Sequence, residues 1–482
     1  MSKDVELLII GSGFGGIGMA IEAGRRGITD YVIVEQAGDL GGTWRDNTYP
    51  GAACDVKATL YHFSFAPWTW SRAYPAHDEI LAYIRRIADD FRVTPHIEFN
   101  AAVSRMTWDG AESRWRVDCA NGQSYRARFV VSATGQLNRP RIPAFTGADT
   151  FAGASFHTAR FDHSVSLEQK RVAIIGSGAS TIQVAPAIAG RVAQLDIYQR
   201  SAPYVLPKLD PETTTPARFV QRYLPLLTNW SRAKAYLYGE LIGSGLVGKR
   251  DVRAKARAQW EMYVSAVVAD PDLRRRIEPD YEIGCKRILL ASDWYPTLQR
   301  DNVELVTEAI QEFTTSGITT CDGQSRHYDV VIYATGFEST DFVAPIEIVG
   351  RDGRNLHAEW GRRPLAHRGV AVAGFPNFFV LYGPNTNLGS NSILFMLESQ
   401  FRYVASLMQG ITDMGWSGAE VAPQVMDEWR TMIDSASQDT AWLQGCQSWY
   451  TVDGVNTNNW PKNSWQYHTL MQDVDIENYQ PA

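Results

Sequence analysis

Residues 5–16 have the sequence Val5-Glu-Leu-Leu-Ile-Ile-Gly11-Ser-Gly13-Phe-Gly-Gly16. The apolar first half is typical of a strand that is buried on both faces of a parallel sheet. A GxGxxG turn follows, and then a helix-compatible stretch and a second β-rich run that ends at Glu35. This order predicts a βαβ dinucleotide-binding unit, in which glycines let the backbone approach a pyrophosphate at a helix N-terminus.

The acid at the end of the second run bears on which nucleotide binds. Glu35 lies 19 residues after Gly16, at the end of the predicted second strand. A carboxylate there can accept hydrogen bonds from both hydroxyls of a ribose, whereas it would repel a 2′-phosphate. We therefore expect FAD or NAD in this first site, and not NADP.

A second unit of the same design follows in the middle of the chain. The run Arg171–Ile175 leads into residues 176–181, Gly-Ser-Gly-Ala-Ser-Thr, and a later β-rich run ends on Gln-Arg-Ser at 199–201. A cation with a neighbouring hydroxyl favours a 2′-phosphate, hence NADPH. Because Thr181 replaces the usual small residue, we expect the helix to lie slightly farther from the strand. The predicted contacts of this nucleotide are Gly176, Gly178, Ser180, Thr181, Arg200 and Ser201.

Two such units predict an α/β fold with two doubly wound, Rossmann-like dinucleotide-binding domains. The tripeptide Ala-Thr-Gly occurs at 133–135 and again at 334–336, each time after a β-rich run, and marks two predicted crossings between domains. We assign residues 1–145 and 326–482 to the two parts of an FAD-binding domain, the second with C-terminal loops. Residues 146–325 are assigned to an NADPH-binding domain with a helical insertion at about 210–280.

Composition excludes several classes of protein. The 482 residues are 45% hydrophobic and 21% charged with a net charge of −7, which excludes a disordered chain and disfavours nucleic acid as a partner. We find neither an export signal nor an apolar stretch long enough to span a bilayer. The five cysteines are scattered without a CxxC pair, which argues against a disulfide framework and a metal site and favours a reducing, cytoplasmic setting. Cys54 stands alone, which excludes a flavin disulfide reductase.

Residues 41–55 carry the most specific signal, Gly41-Gly-Thr-Trp44-Arg-Asp-Asn-Thr-Tyr49-Pro-Gly-Ala-Ala-Cys-Asp55. They resemble the fingerprint [A/G]GxWxxxx[F/Y]P[G/M]xxxD of the type I Baeyer–Villiger monooxygenases, which are class B flavoprotein monooxygenases. All seven specified positions match, and a random match has a chance on the order of 10⁻⁹ to 10⁻⁸ per starting point. The family's second fingerprint, FxGxxxHxxx followed by an aromatic residue and Pro or Asp, is met by residues 151–162.

The resemblance implies an NADPH- and O₂-dependent enzyme that inserts one oxygen atom beside a ketone carbonyl, through a C4a-peroxyflavin, to give an ester or lactone. An anionic peroxide needs a fixed cation, and Arg287 is the predicted catalytic residue because a guanidinium does not readily donate a proton. Asp55 would orient Arg287, and Lys286 would join Arg200 at the 2′-phosphate. The predicted FAD contacts are Gly11, Gly13, Gly16, Glu35, Gly42, Trp44, Asp55 and Tyr61.

Two further residues take their predicted roles from the resemblance. Trp449, in the segment 448–450, would cover bound NADP⁺, and His157 would be an interdomain hydrogen-bonding residue of the linker. We predict that Lys286 and Arg287 lie on a strand, whose alternation would send one side chain to the nucleotide and the other to the flavin.

Alternatives remain open on the sequence alone. The same flavin could oxygenate nitrogen or sulfur, with a sulfide as substrate, or the protein could be an NADPH oxidase or a redox-sensing nucleotide-binding protein. Cyclic, aryl, long-chain and steroid ketones are all compatible, as are a monomer and a small homo-oligomer. The aromatic and basic insertion would suit a membrane surface, although we favour a pocket wall or a subunit contact.

Overall fold

The computed structural model describes residues 2–389, 391–444 and 448–482. Its first part contains β1 (Lys3–Ile10), α1 (Phe14–Arg25), β2 (Tyr31–Val34), α2 (Thr43–Asp46), α3 (His77–Asp90), β3 (Ile97–Glu98), β4 (Val103–Asp109), β5 (Arg114–Cys119) and β6 (Ser124–Ser132). Its middle part contains β7 (Ala154–His157), β8 (Arg171–Ile175), α4 (Thr181–Ala189), β9 (Gln194–Tyr198), β10 (Val205–Leu206), α5 (Thr215–Tyr223), α6 (Pro225–Gly248), α7 (Arg250–Val267), α8 (Pro271–Arg276), β11 (Leu289–Leu290), α9 (Trp294–Leu298), β12 (Val303–Val306), β13 (Ile310–Thr314), β14 (Gly317–Thr320), β15 (Ser325–His327) and β16 (Val330–Tyr333). Its last part contains β17 (Glu347–Val349), α10 (Leu356–Trp360), β18 (Phe378–Val380), α11 (Ile393–Asp413), β19 (Ala419–Val421), α12 (Pro423–Ser437), β20 (Thr451–Val452), β21 (Val455–Asn456), α13 (Ser464–Leu470) and β22 (Tyr479–Pro481).

The first sheet is built around β1. Its order is β17-β4-β5-β6-β1-β2-β3, and β18 pairs with the C-terminal end of β6. β1 is parallel to β2 and β6, whereas β4, β5 and β6 form an antiparallel meander. Leu7 and Ile9 belong to one apolar core and Leu8 and Ile10 to another. Burial on both faces explains why this strand is apolar.

The second sheet has the order β12-β9-β8-β16-β7, and all of its pairs are parallel. β8 leads into α4 as β1 leads into α1, so the two glycine turns occupy equivalent positions at the carboxyl ends of their sheets. The prediction of an α/β fold with two Rossmann-like units is confirmed. The last strand of this sheet ends at Tyr333, beyond residue 325 at which the sequence analysis ended this region.

Four helices, α5 to α8, form the insertion that the sequence analysis expected. They occupy the segment between β10 and β11, two short strands that pair in parallel. The polypeptide therefore leaves the second domain and returns to the same place. None of the described helices combines the length and apolarity that crossing a bilayer requires.

The cysteines differ from expectation at one position. Cys54, Cys119 and Cys321 are free thiols, whereas Cys285 is disulfide-bonded. The scattered spacing that argued against disulfides was misleading here, because separation along the chain does not limit proximity in the fold. Cys446 lies outside the described residues.

Candidate active site

The first glycine turn leaves no room for side chains. Gly11 has φ = +100°, and a Cβ there would lie 2.8 Å from the carbonyl oxygen of Ala133. A Cβ at Gly16 would lie 1.8 Å from the carbonyl oxygen of Gly11. Gly13 begins α1 without a side-chain cap, so the first amides of the helix remain available as donors. Gly42 closes over this turn, since its Cβ would lie 3.3 Å from the Gly13 Cα. The turn therefore fits a pyrophosphate that approaches the backbone closely.

Glu35 lies beside this turn, where the sequence analysis expected a ribose ligand. Its Oε2 accepts hydrogen bonds from the backbone N and the Oγ of Ser12, at 2.9 and 2.8 Å. Its Oε1 accepts from the Ala37 amide at 3.0 Å and from Arg45 at 3.1 Å. These four donors use the acceptor capacity of the carboxylate. Ribose binding by Glu35 stays a prediction, and it requires a hydroxyl to replace one of the present side-chain partners.

Aromatic side chains extend the first site along the fingerprint loop. Trp44 donates its indole N–H to the Tyr61 hydroxyl at 2.9 Å, and the two rings pack edge to face. Phe14, in the first turn of α1, also packs edge to face against Tyr61, with ring centroids 5.6 Å apart. Burial raises the pKa of Tyr61 well above its ordinary value, so its hydroxyl remains protonated.

The second glycine turn repeats the first with one substitution. Gly176 has φ = +123°, and a Cβ there would lie 2.3 Å from the carbonyl oxygen of Ala334. At the sixth motif position the buried Thr181 hydroxyl donates to the Gly176 carbonyl at 3.0 Å. The side chain thus replaces the close backbone contact of the first turn with a hydrogen bond. Around Gly178 the backbone is open, which leaves space for a phosphate group.

Two basic residues, Lys286 and Arg200, and the hydroxyl of Ser201 lie near one another beyond this turn. The Lys286 ammonium donates to the Ser201 hydroxyl at 3.2 Å and lies over the Tyr281 ring. Burial lowers the pKa of Lys286, Asp280 opposes that shift, and the nearby charge of Arg200 lowers the pKa further. The Asp280 carboxylate offsets part of the repulsion between the two cations, and a bound anionic ligand would stabilise both of them further. The group therefore fits a 2′-phosphate.

Arg287 and Asp55 form a bidentate ion pair. The Arg287 Nε donates to Asp55 Oδ2 at 2.8 Å, and Nη2 donates to Oδ1 at 2.6 Å. The two side chains are 31% and 25% exposed, so the ion pair is partly buried. The carboxylate, working against the cost of burial, raises the pKa of Arg287 above its already high ordinary value. The guanidinium therefore carries a permanent charge in a fixed orientation.

Two tyrosines lie near the ion pair: Tyr450 belongs to the 448–450 segment that the sequence already indicated, whereas Tyr382 was not predicted. Burial raises the pKa of Tyr450 to about 12, while the charge of Arg287 acts in the opposite direction. Arg287 acts in the same way on the partly buried Tyr382, whose pKa is also raised by desolvation. Tyr382 has φ = +56° and donates to Asn387 at 2.7 Å. The Gly-Pro-Asn turn at 383–385 was the only signal in the sequence for this part of the wall.

The fingerprint loop is attached to the second domain through α4. The Tyr49 hydroxyl donates to Gln183 Oε1 at 2.8 Å, and Gln183 Nε2 donates to the Ala53 carbonyl at 3.0 Å. At Gly51 a Cβ would lie 2.5 Å from the Gln183 carbonyl oxygen. The position of Asp55, two residues after Ala53, therefore depends on both domains.

The two fingerprints contact each other. Thr48 in the first is hydrogen-bonded to His163, which follows the second, at 2.8 Å. Asp46 pairs with Arg160 at 3.4 Å. Both contacts join the first domain to the segment that leads into the second, so the linker fingerprint and the flavin-side fingerprint form one structural unit.

His157 and Trp449 are the two remaining residues with predicted roles. The His157 ring is buried, accepts a local hydrogen bond from the Ala159 amide at 3.1 Å and packs edge to face on Phe337, just after the second crossing. The backbone of Gly336, in the second crossing, also raises the pKa of His157 through a hydrogen bond against the effect of burial, and the role of His157 as an interdomain hydrogen-bonding residue stays a prediction. Trp449 is 39% exposed and packs against Tyr450 with ring centroids 4.7 Å apart.

One expectation about local structure is wrong. Lys286 and Arg287 lie in a loop and not on a strand, because the Cys285 amide donates to the Glu282 carbonyl in a turn and β11 begins only at Leu289. Their side chains nevertheless reach different partners, as the predicted roles require.

Comparisons with known proteins agree with this geometry. Residues 8–236 match the family described as pyridine nucleotide-disulphide oxidoreductase. A Baeyer-Villiger monooxygenase of Streptomyces coelicolor is 40% identical over 482 residues, covering 99% of this chain and 93% of that protein. A Baeyer-Villiger monooxygenase of Pseudomonas aeruginosa is 38% identical over 484 residues, covering 99% and 92%.

Solved structures with the same fold hold both nucleotides. The complex of OTEMO with FAD and NADP superposes with a TM-score of 0.91 at 26% identity and covers 100% of both chains. A cyclohexanone-bound structure of cyclohexanone monooxygenase gives a TM-score of 0.88 at 27% identity and covers 100% of this chain and 99% of that one. The whole chain thus superposes on a structure that contains FAD and NADP.

Proposed function

Because this chain belongs to the Baeyer–Villiger monooxygenase family, we propose that it inserts one atom of O₂ beside the carbonyl of a ketone. It is a monooxygenase, and its cofactors are FAD and NADP. The proposed reaction converts ketone, O₂, NADPH and a proton to an ester or lactone, NADP⁺ and water. A ketone as substrate is supported by the cyclohexanone bound to a relative of the same fold.

The two glycine turns support the assignment of the nucleotides. FAD is assigned to residues 1–145 and to the chain after β16, with Gly11, Gly13 and Gly16 leaving a cradle that side chains would fill. NADPH is assigned to the middle region, where Lys286 and Arg200 lie together and fit a 2′-phosphate. The remaining proposed contacts follow from their positions beside these turns.

The observation that carries the proposal is the ion pair of Arg287 with Asp55. A flavin held at the first glycine turn would supply the hydride-accepting and O₂-activating chemistry. Arg287 then supplies a permanent positive charge beside the reacting atoms, without a proton that it can readily give away. Asp55 holds the guanidinium through two charge-assisted hydrogen bonds, so that the charge is oriented before substrate arrives.

The positive charge of Arg287 would also stabilise the substrate during the reaction. As the carbonyl carbon is attacked, negative charge develops on the carbonyl oxygen, and a preoriented guanidinium stabilises that charge more than it stabilises the neutral ketone. Tyr382 and Tyr450, both protonated because burial raises their pKa values, limit access of water to this region. Trp449 would close the nucleotide side.

Product analysis under ¹⁸O₂ tests the proposal. The holoenzyme is incubated with NADPH and either a ketone or a sulfide of similar size, and H₂O₂ is measured in parallel. We expect one ¹⁸O atom in an ester or lactone. Sulfoxide without ester would identify a sulfur-oxygenating enzyme, and H₂O₂ without labelled product would identify an NADPH oxidase. Either result would overturn the proposal.

A further inference from the structure

The helix α6 has its polar side inward and its apolar side outward, the reverse of a surface helix on a globular protein. Arg232, Tyr236 and Glu240, spaced by four residues, face the rest of the protein. Arg232 donates to the His62 carbonyl at 3.1 Å, Tyr236 is hydrogen-bonded to Ser464 at 2.9 Å, and Glu240 accepts from Asn391 at 2.8 Å.

The opposite side of the helix exposes large apolar residues. Leu227 is 53% exposed and Leu241 is 74% exposed, and the helical periodicity places both on the side away from Arg232 and Tyr236. Ten of the 17 exposed large apolar side chains among the described residues fall between 219 and 242. We call their main group the outer face. The outer face consists of Phe219, Tyr223, Leu226, Leu227, Trp230, Leu237, Tyr238 and Leu241.

Positive charges border the outer face. Residues 215–248 contain four cations and one acid, Glu240, which is paired on the inward side. Arg218, Arg222 and Lys234 are exposed, and Lys234 lies 5.2 Å from the centroid of the Trp230 ring. This local excess of positive charge contrasts with the net charge of −7 of the whole chain.

We propose that the outer face docks the enzyme on an anionic lipid surface, with α6 lying in the plane of the interface. Leu, Trp and Tyr would enter the headgroup region, and the cations would meet lipid phosphates. The 24 residues of α6 give a contact line about 36 Å long.

Charge argues for lipid and against a second copy of the chain. A twofold dimer would place the same surface of both copies in contact, so that the cations of one outer face would meet those of the other. An anionic lipid surface instead supplies opposite charge and an apolar layer together. The proposal is independent of which reaction the active site performs.

Vesicle flotation tests the proposal on the holoenzyme. Vesicles of phosphatidylcholine with phosphatidylglycerol are compared with vesicles of phosphatidylcholine alone. We expect binding to the anionic vesicles, weaker binding to the neutral ones, and weakening at high salt. No binding to either vesicle would overturn the proposal.

A variant with Leu226→Glu and Trp230→Glu should lower the ratio of vesicle-bound to free protein about tenfold or more. Its matched control is Met414→Glu, which changes a 54% exposed apolar side chain outside the outer face and should bind as the wild type does. Equal loss in both would overturn the proposal. So would a dimer in sedimentation equilibrium that the double variant converts to a monomer, because the outer face would then be a contact between copies.

A second measurement needs no destabilising change. Brominated anionic lipid should quench tryptophan fluorescence in the wild type, and Trp230→Phe should remove a large part of that quenching. Quenching that is unchanged in Trp230→Phe would show that the outer face does not meet the lipid, and would overturn the proposal.

Discussion

Replacing Asp55 with Asn removes the charge that orients Arg287 while keeping the volume of the side chain. The carboxylate now accepts two hydrogen bonds, at 2.8 and 2.6 Å. A single amide oxygen can retain only one of them, and its negative charge is lost. Arg287 keeps its own charge, but its orientation is no longer fixed.

The structure gives the expected size of the effect. A hydrogen bond between charged groups contributes about 1.5–3 kcal/mol. With the side chains 31% and 25% exposed, solvent weakens this pair only in part. Losing one bond and the orientation should therefore slow ester formation about ten- to a hundredfold, since about 1.4 kcal/mol corresponds to a factor of ten.

The assay follows NADPH consumption, ester and H₂O₂ in the same reaction. For Asp55→Asn we expect ester formation to fall more than NADPH consumption, so that H₂O₂ per NADPH rises. Asp118→Asn is the matched control, because both oxygens of Asp118 accept from the Arg116 Nε at 3.2 Å on the solvent-facing side of β5. Coupled ester formation in Asp55→Asn at the wild-type rate would refute the orienting role of Asp55.

Three further predictions concern the nucleotide sites and stability. Lys286→Ala should raise the KM for NADPH about tenfold or more and leave that for NADH unchanged, which steady-state kinetics will show. Gly16→Ala should abolish FAD binding, because its Cβ would lie 1.8 Å from a carbonyl oxygen, whereas Gly24→Ala, with open space around it, should keep FAD bound and not lower the melting temperature. Burial, with a smaller contribution from a nearby arginine at each site, lowers the pKa of His62 and His157 from 6.5 to about 4. The unfolded state therefore binds more protons below pH 6.5, and the free energy of unfolding, measured by urea titration, should fall between pH 6.5 and pH 4 by up to about 3 kcal/mol per histidine.

The two nucleotide-binding units were predictable because local constraints determine them. β2 ends at Val34 and β9 at Tyr198, directly before Glu35 and before the Gln-Arg-Ser of 199–201 at which the sequence closed its two β-rich runs. Gly11 and Gly176 were recognisable because a positive φ and a close backbone neighbour leave few alternatives to glycine. In such turns the sequence pattern and the geometry have the same cause.

The walls of the active site were less predictable, because they join distant segments. Tyr382 and Tyr450 come close to Arg287 through tertiary packing, and no periodicity in the sequence connects the three. The loop that contains Lys286 was expected to be a strand, since two adjacent side chains with different partners are typical of one. A turn before β11 produces the same separation of side chains in another way.

Glu35 shows a further limit of motif reasoning. Its place at the end of β2 follows from the βαβ pattern. Its hydrogen bonds with Ser12 and Arg45 do not, because they depend on the path of the loop that follows. The motif therefore predicts where the carboxylate lies and leaves its present partners undetermined.

The role of Arg287 is tested most directly by the ratio of ¹⁸O-labelled ester to NADPH consumed under ¹⁸O₂, in the wild type and in Arg287→Ala with FAD bound. We predict nearly one labelled ester per NADPH in the wild type. In Arg287→Ala we predict almost none, with the electrons recovered as H₂O₂. A labelled ester at the wild-type ratio in Arg287→Ala would contradict the account, because oxygen insertion would then not need the guanidinium.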